Sequence, residues 1–299
     1  MQAKARKRRW WRYSLRTLLL VILAVAVLLG MQQKSLTQHR IANRLAQKGA
    51  TFYENGYVAK QLWASRLIWG DDVYSQVESV DFRQSHLTAA DIDSLHQFPS
   101  LAILQFESCK FEENAIARLG NLPLLDDLYF QGCELTNQDV ASLQQIVKME
   151  SLVLRDDNLP QLDLAPLQSL LDLRDLSLRP VADRNLKDIA CLRQLKCVTL
   201  DVAKITDEGL ITLGALPQLE ALSVYDAPIT GIGLRSLLDA RTLTFLDLRE
   251  CPIDSEGLEV IRNGTSLTCL SLPSTKLVPA DIVKLQKDLP NCEIICIFP

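Results

Sequence analysis

The stretch LTFLDLRECPIDSEGLEVIRNG, residues 243–264, decides the fold of this chain. Its apolar residues fall at offsets 0, 3, 5, 8 and 10 from the first leucine, at Leu243, Leu246, Leu248, Cys251 and Ile253. Polar Asp254 follows and opens a short helical pattern. This spacing is typical of a repeat in which a short strand alternates with a helix, and one such unit cannot bury its own apolar face. It therefore predicts a fold only if neighbouring stretches repeat it.

The same spacing recurs along most of the chain, which is the pattern of leucine-rich repeats. Successive repeats start 24 residues apart, except for 22 after Leu173 and 25 after Leu267. The starts are Val77, Leu101, Leu125, Met149, Leu173, Leu195, Leu219, Leu243 and Leu267, with a last partial strand at Cys292, Ile295 and Ile297. We therefore predict an α/β leucine-rich repeat solenoid over 77–299, with a parallel sheet on its concave face and short helices on its convex face.

A basic segment and an uncharged apolar run precede the repeats. Residues 1–53 carry eleven Lys and Arg and no Asp or Glu, whereas the rest of the chain has a net charge of −15. As a helix, the uncharged run 17–33 would rise about 25 Å, close to the thickness of a bilayer core. The basic excess before the run favours a cytoplasmic N-terminus and extracytoplasmic repeats. We therefore predict a basic cytoplasmic segment over 1–16 and a single transmembrane signal anchor over 17–33.

Cleavage of this segment is the alternative prediction, because Ala24-Val25-Ala26 has the small-x-small form that a signal peptidase accepts. Both alternatives export the repeats. Residues 34–76 are predicted to form a juxtamembrane helix and an N-terminal cap that covers the open end of the first repeat. The helix, over 35–49, is basic and would serve as a stalk or contact anionic headgroups. Within this cap, a helical spacing is indicated by Trp63, Leu67, Ile68 and Trp69.

Alternation along a strand predicts which side chains face outward. Offsets 3 and 5 of each repeat point into the core, so offsets 2, 4 and 6 line the concave face. On the convex side, a residue suited to cap a helix N-terminus precedes five of the helical patterns. These residues are Thr88, Thr136, Thr206, Thr230 and Asp254.

Offset 8 carries a cysteine in three repeats, at Cys109, Cys133 and Cys251. Two helices open with Thr206-Asp207-Glu208-Gly209-Leu210 and Asp254-Ser255-Glu256-Gly257-Leu258. With these features the repeats resemble the cysteine-containing subtype of leucine-rich repeat. Residues 12–299 as a whole, with Trp69-Gly70-Asp71-Asp72 before the first repeat, resemble membrane-anchored leucine-rich repeat proteins of bacteria.

The sequence contains little that indicates catalysis or a cofactor. The three cysteines at offset 8 are predicted to be buried thiols, while Cys197, Cys269 and Cys296 occupy outward strand positions. No paired Cys and His spacing indicates zinc, and no histidine follows a spacing that would place it beside a nucleophile. We therefore predict no enzyme activity, no metal and no cofactor.

The concave face is the candidate binding surface. Strands about 4.8 Å apart bring the offset 6 residues of neighbouring repeats into one row, and arginine and aromatic side chains are the types that most often anchor interfaces. The candidate partner-binding residues are Tyr129, Arg155, Arg179, Asp201, Tyr225, Phe245, Asp247 and Arg249. The alternative is a solvated strand face whose ion pairs contribute little each.

These patterns predict a non-catalytic protein-binding module displayed outside the cytoplasmic membrane. Its partner would be a protein or a cell-envelope component on the concave face. The acidic repeats would repel phosphate backbones, which argues against nucleic acid as a partner. A self-associating structural element of the cell envelope is the alternative.

Overall fold

One sheet of twelve strands runs the length of the molecule. The computed structural model describes residues 15–54, 57–58, 76–239, 241–273 and 278–296. The strands are Ala50–Glu54, Tyr57–Val58, Ser79–Arg83, Ile103–Glu107, Asp127–Gln131, Ser151–Arg155, Asp175–Arg179, Cys197–Leu200, Ala221–Val224, Phe245–Asp247, Cys269–Leu272 and Glu293–Cys296. From Ser79–Arg83 onward each strand is parallel to the strand that follows it, so the predicted solenoid is confirmed.

Short helices follow the strands and form the second, convex layer. The α-helices among the described residues of the repeats are Ala89–Ser94, Asn137–Ser142, Asp183–Ile189, Asp207–Leu213, Arg235–Asp239, Ser255–Ile261 and Pro279–Asp288. The 3-10 helices are Leu95–Gln97, Ile116–Asn121, Leu143–Gln145, Leu159–Gln161, Ala165–Ser169 and Ile232–Leu234. Two pairs of two-residue strands lie in the turns, His86–Leu87 with Lys110–Phe111 and Val181–Ala182 with Ala203–Lys204.

The core lies between the two layers and extends from one repeat to the next. The residues at offsets 0, 3 and 5 of the nine repeats are buried, as their spacing predicts. In the first three repeats offset 5 is phenylalanine, and Phe106 stacks between Phe82 and Phe130 with ring centroids 5.5 and 5.2 Å apart. Each ring thus contacts the equivalent ring of the adjacent repeat, which couples neighbouring repeats beyond their backbone hydrogen bonds.

A single helix, Leu15–Gln47, precedes the sheet and docks on the first repeat with its C-terminal part. Gln38, Ala42 and Leu45 are buried there, so the segment predicted as a stalk is part of the N-terminal cap instead. The chain then reverses at Gly49, whose φ of +94° is in the region that favours glycine. Among the described residues, no helix combines the length and hydropathy needed to cross a membrane.

The antiparallel hairpin formed by Ala50–Glu54 and Tyr57–Val58 completes the described part of the cap. Its first strand pairs with the first repeat, with Thr51 opposite Asp81. The predicted cap residues Trp63 and Trp69 lie outside the described residues.

The last strand has a different register from the predicted one. Leu270 pairs with Ile294 and Leu272 with Cys296, so this strand lies 24 residues after the preceding one, as in most repeats. Ile294 and Cys296 therefore pack against the core, while Ile295 points outward and is 41% exposed. The prediction that Ile295 faces the core was wrong, because a shift of one residue moves every side chain of a strand to the other face. Ile297 lies outside the described residues.

Three of the five predicted helix caps are confirmed. The side chains of Thr88, Thr136 and Asp254 accept a hydrogen bond from the backbone N–H three residues later. The side chains of Thr206 and Thr230 do not cap their own helices. Their hydroxyls donate instead to aspartates of the preceding repeat, 23 residues earlier in the sequence.

The three cysteines at offset 8 are buried, as predicted. The thiols of Cys109, Cys133 and Cys251 donate to backbone carbonyls of the preceding repeat, at 3.4, 3.4 and 3.3 Å. Burial raises the pKa of Cys133 to about 12 and that of Cys251 to about 11, so both stay protonated. All eight cysteines lie in the described part of the chain and are free thiols. Cys296 and Cys269 face opposite sides of the sheet.

Candidate functional site

Strand pairing builds the row of offset 6 residues that the sequence predicts. Parallel, in-register pairing places Arg155 directly opposite Arg179, and the same ladder places Gln131 opposite Arg155. Backbone hydrogen bonds from Asp201 and Tyr225 to the preceding strands continue the ladder. The row therefore lies along one edge of the concave face, where each strand ends.

An ion pair neutralises one of the two adjacent arginines. The guanidinium of Arg179 lies 3.3 Å from the Asp201 carboxylate. Arg155 is exposed, and no acidic side chain forms an ion pair with it in the part of the chain that the structure describes. Arg155 therefore keeps an unbalanced positive charge, beside which a carboxylate would be stabilised.

Tyr225, Asp247 and Arg249 form a hydrogen-bonded cluster at the next part of the row. The Tyr225 hydroxyl donates to Asp247 Oδ2 at 3.1 Å, and the Arg249 Nε donates to both carboxylate oxygens at 3.0 Å. The Arg249 guanidinium also lies over the Tyr225 ring, 5.0 Å from its centroid. The hydrogen bonds to Asp247 raise the pKa of Arg249 above its ordinary value. The cluster holds the arginine in one orientation while more than half of its side chain stays exposed.

Asp247 differs from the sequence-based expectation. Its offset predicts an exposed side chain that a partner could contact, but only 3% of the residue is accessible. The burial follows from its neighbours, since Tyr225 and Arg249 cover the carboxylate. Asp247 therefore positions these two side chains instead of presenting its own.

Tyr129 and Arg155 lie together at a depression of about 230 Å³ in the concave face. Gln105, Val153 and Gln131 also line it, and these three residues were not among the sequence candidates. Their positions could have been found from the strand register, because offset 4 of neighbouring repeats brings Gln105, Tyr129 and Val153 side by side. The depression thus combines an aromatic ring, an aliphatic side chain and an exposed cation. Glu107 also lines it, and its carboxylate pairs with Arg83 at 3.3 Å.

Phe245 stands apart from the row. It is half-buried and begins its strand, opposite Ala221 and Cys269. It shares the concave face with Asp247, two residues further along the same strand. The eight candidates therefore fall into four groups: Tyr129 with Arg155, Arg179 with Asp201, the cluster of Tyr225, Asp247 and Arg249, and Phe245 alone.

The opposite edge of the concave face is acidic. Burial raises the pKa of Asp127, and the nearby Asp126 carboxylate adds to this effect. Burial and the charge of Glu150 likewise raise the pKa of Asp126. Within the described ranges, no three His, Cys, Asp or Glu side chains are grouped closely enough to hold a metal ion. The two edges of the face thus differ in charge.

Comparisons with known proteins agree with this fold. A family profile described as Leucine Rich repeat matches residues 239–261. No curated protein sequence matches the chain. Internalin C2 of Listeria monocytogenes superposes with a TM-score of 0.51 at 20% identity, over 67% of this chain and 82% of that one.

Two other solved structures are more distant in shape. Internalin F of Listeria monocytogenes has a TM-score of 0.36 at 17% identity, over 76% of this chain and 88% of that one. A leucine-rich repeat protein of Leptospira interrogans has a TM-score of 0.48 at 18% identity, over 68% of this chain and 50% of that one. At these identities the similarity concerns the fold alone. The chain thus has a leucine-rich repeat solenoid fold similar to that of internalin C2, and residues 239–261 match the repeat profile itself.

Proposed function

We propose that this chain is a non-catalytic leucine-rich repeat module that binds a protein partner on its concave face. One observation carries the proposal: Arg155 is an exposed cation without an ion-pair partner among the described residues, at the edge of a depression that also contains Tyr129. An unmatched arginine beside aromatic surface is typical of the centre of a protein interface. The partner would present a carboxylate to Arg155 and an apolar side chain to the depression.

The rest of the row supports the same function. Hydrogen bonds hold Arg249 over the Tyr225 ring, so its side chain loses little further freedom when a partner binds. The ion pair between Arg179 and Asp201 is half-exposed. Such a pair contributes to the selectivity for a partner of complementary charge more than to the affinity for that partner. These groups follow one another along the edge of the sheet, which suits an extended contact better than a pocket for a small molecule.

A non-catalytic role accords with the surroundings of the histidines. His39 shares a hydrogen bond of 3.0 Å with Asn43 on the N-terminal helix. His86 and His96 are exposed in the first repeat, away from the candidate residues of the later repeats. A catalytic base needs a nucleophile or a substrate within hydrogen-bond reach, and the cysteines at offset 8 are buried with raised pKa values.

Display outside the cytoplasmic membrane is part of the proposal and rests on the sequence. The run 17–33 carries no charge and follows seven basic residues. Exposure of the apolar side chains from Leu19 to Val27 on the N-terminal helix is consistent with a lipid environment. Carbonate extraction of membranes and sequencing of the mature N-terminus would distinguish an intact anchor from a cleaved signal.

Affinity capture from envelope extract tests the binding face. The bait is the full chain in detergent, beside a variant with Arg155, Arg179 and Arg249 changed to glutamate. A charge-matched control changes Arg118, Lys187 and Lys204, which are exposed outside the concave sheet. We expect one protein to be retained by the unchanged chain and the control but lost with the concave variant. Equal capture by all three would contradict the concave site.

Self-association remains the second candidate, and one feature favours it. The strand Glu293–Cys296 is at the end of the sheet order, so one of its edges is unpaired among the described strands. Such an edge can pair with a strand of another copy. Sedimentation of the full chain in detergent at increasing concentration would show a dimer if this pairing forms, and a constant monomer would exclude it.

A further inference from the structure

Three exposed apolar residues lie at equivalent turns of successive repeats. Leu124, Val147 and Leu171 are 49%, 66% and 73% exposed. Each stands one or two residues before the start of its repeat, in the turn where the chain returns from the convex helix to the next strand. Buried residues on either side hold these turns in place, so the three side chains form an apolar edge that the core does not use.

The apolar edge comprises the second, third and fourth return turns, whereas the first return turn carries Pro99 and Ser100. In later repeats the equivalent turns carry polar residues, and these are Arg193, Gln194, Gln218, Arg241 and Thr265. Solvent exposure alone would favour polar residues in all of these turns. A neighbour beside the second to fourth return turns would account for the exposed apolar side chains there.

The N-terminal helix leaves the fold at this same edge. Near its C-terminal end, Lys48 contacts Asp91 in the first turn of the helix Ala89–Ser94. Ten residues earlier, Gln38 donates to the carbonyl of Gln97, just before the return turn of the first repeat. The helix thus runs alongside the first repeat, and its N-terminal part extends past the edge where the return turns lie.

The apolar part of the helix begins close to this edge. Gln33, the last residue of the uncharged run, is five residues from Gln38, or about 8 Å along a helix. From there toward the N-terminus the helix exposes large apolar side chains, among them Leu29 and Val27. If lipid surrounds that part of the helix, its surface lies within about two helical turns of the return turns.

We propose that the apolar edge formed by Leu124, Val147 and Leu171 rests on the surface of the bilayer that holds the N-terminal helix. The inference rests on the membrane attachment in the proposed function. The apolar edge would contact the interfacial region of the bilayer, into which apolar side chains insert by about 5 to 10 Å. The charges beside the edge are mixed, because Asp126 and Asp172 are acidic, Lys148 is basic, and Glu150 pairs with Arg174 at 3.1 Å. A zwitterionic lipid surface therefore suits the edge.

A contact between the apolar edge and the bilayer would determine the orientation of the solenoid relative to the membrane. The strands run from the return turns toward the row of Arg155 and Arg249, so they point away from the bilayer. A five-residue strand spans about 16 Å. The binding row therefore lies on the side of the solenoid remote from lipid, where a partner can reach it.

Fluorescence quenching in phosphatidylcholine nanodiscs tests the contact on the full chain. Cys191 is exposed and three other cysteines are partly exposed, so the background variant replaces Cys191, Cys197, Cys269 and Cys296 with serine. An environment-sensitive label is attached at Leu171→Cys, or at Arg193→Cys as the matched control in the next return turn. Lipids with a nitroxide near the headgroup supply the quencher. We expect about a twofold loss of fluorescence at position 171 and little loss at 193, given the shallow depth of interfacial side chains.

Equal and weak quenching at both positions would overturn the contact while leaving the anchor intact. Failure of the chain to copurify with nanodiscs would overturn the anchor and the contact together, so the two failures are distinguishable. A second variant changes Leu124, Val147 and Leu171 to glutamate, with circular dichroism to check the fold. We expect neutron reflectometry to place its solenoid farther from the bilayer than that of the unchanged chain, and an unchanged distance would contradict the proposal.

Discussion

The Lys48 Nζ atom lies 2.5 Å from Asp91 Oδ2 and joins the end of the N-terminal helix to the first repeat. The same carboxylate accepts hydrogen bonds from the backbone N–H and the hydroxyl of Thr88, so it also caps the helix Ala89–Ser94. Burial opposes ionisation of Asp91, but these hydrogen bonds outweigh it and lower its pKa. One side chain thus fixes both the cap and the first convex helix.

Replacing Asp91 with asparagine tests this double role. We expect a loss of about 1 to 2 kcal/mol in the free energy of unfolding at pH 7, because a capping bond and an ion pair are lost together. The folded pKa of Asp91 is below its unfolded value, so its contribution is complete above about pH 4 and is lost as pH falls through the folded pKa. The difference in the free energy of unfolding between wild type and variant, measured with urea, should be smaller at pH 3 than at pH 7. Asp93→Asn is the control, and a difference independent of pH would contradict the assignment.

Asp207 links two repeats through its carboxylate. It accepts hydrogen bonds from the backbone N–H groups of Thr230, Gly231 and Gly233, and from the Thr230 hydroxyl. Burial opposes its ionisation, but these bonds outweigh it and lower its pKa. We expect Asp207→Ala to cost about 2 kcal/mol, because it leaves donors of the next repeat unpaired. Hydrogen exchange should rise in the repeat that contains Thr230, whereas exposed Glu208→Ala should leave it unchanged.

Gly257 is buried against the preceding repeat with no room for a side chain. A Cβ atom there would lie 1.9 Å from the Thr230 carbonyl oxygen and 3.2 Å from the Cα of Gly231. Because both are backbone atoms, the two repeats would have to separate. We expect Gly257→Ala to lower the free energy of unfolding by about 1 to 3 kcal/mol, as overpacking does in other cores. Thermal unfolding measures this loss of stability. As a control, Glu256→Ala, at the exposed neighbouring position, should unfold at nearly the same temperature as wild type.

Thiol labelling distinguishes the buried cysteines from the exposed one. Burial raises the pKa of Cys133 to about 12, and its thiol donates to the carbonyl of Phe106. Cys191 is exposed at the surface of its turn. We expect iodoacetamide at pH 8 to modify Cys191 rapidly in the folded protein and Cys133 only after unfolding, because the thiolate is the reactive form. Peptide mapping by mass spectrometry provides the measurement. Labelling of Cys133 in the folded protein would contradict the burial of its thiol.

Periodicity made the solenoid predictable, since repeats that share apolar offsets can stack in only one register. The final strand shows where this reasoning fails. The apolar offsets placed Cys292, Ile295 and Ile297 at the core positions of this strand, but the strand is shifted by one residue. Its core-facing side chains are only half-buried, so burial constrains the register less than in the inner strands.

Contacts between repeats were harder to predict than the repeats themselves. Thr206 has the right position to cap its own helix, yet its hydroxyl donates to Asp183, 23 residues away. Local capping patterns give no sign of such a partner. On the concave face, alternation correctly placed Arg155 and Tyr225 on the outward side. It could not show that Tyr225 and Arg249 would cover Asp247, because this depends on side-chain packing across two strands.

The two ends of the solenoid are secured unequally. The first repeat is held by a docked helix and an antiparallel hairpin, whereas the strand Glu293–Cys296 pairs on one side and packs only partly against the core. Each repeat depends on its neighbours for stability, so among the described residues unfolding should begin at Glu293–Cys296 and not at the first repeat. Under a stretching force, the described repeats would then unfold one after another from that strand, and the molecule would lengthen gradually instead of unfolding in one step.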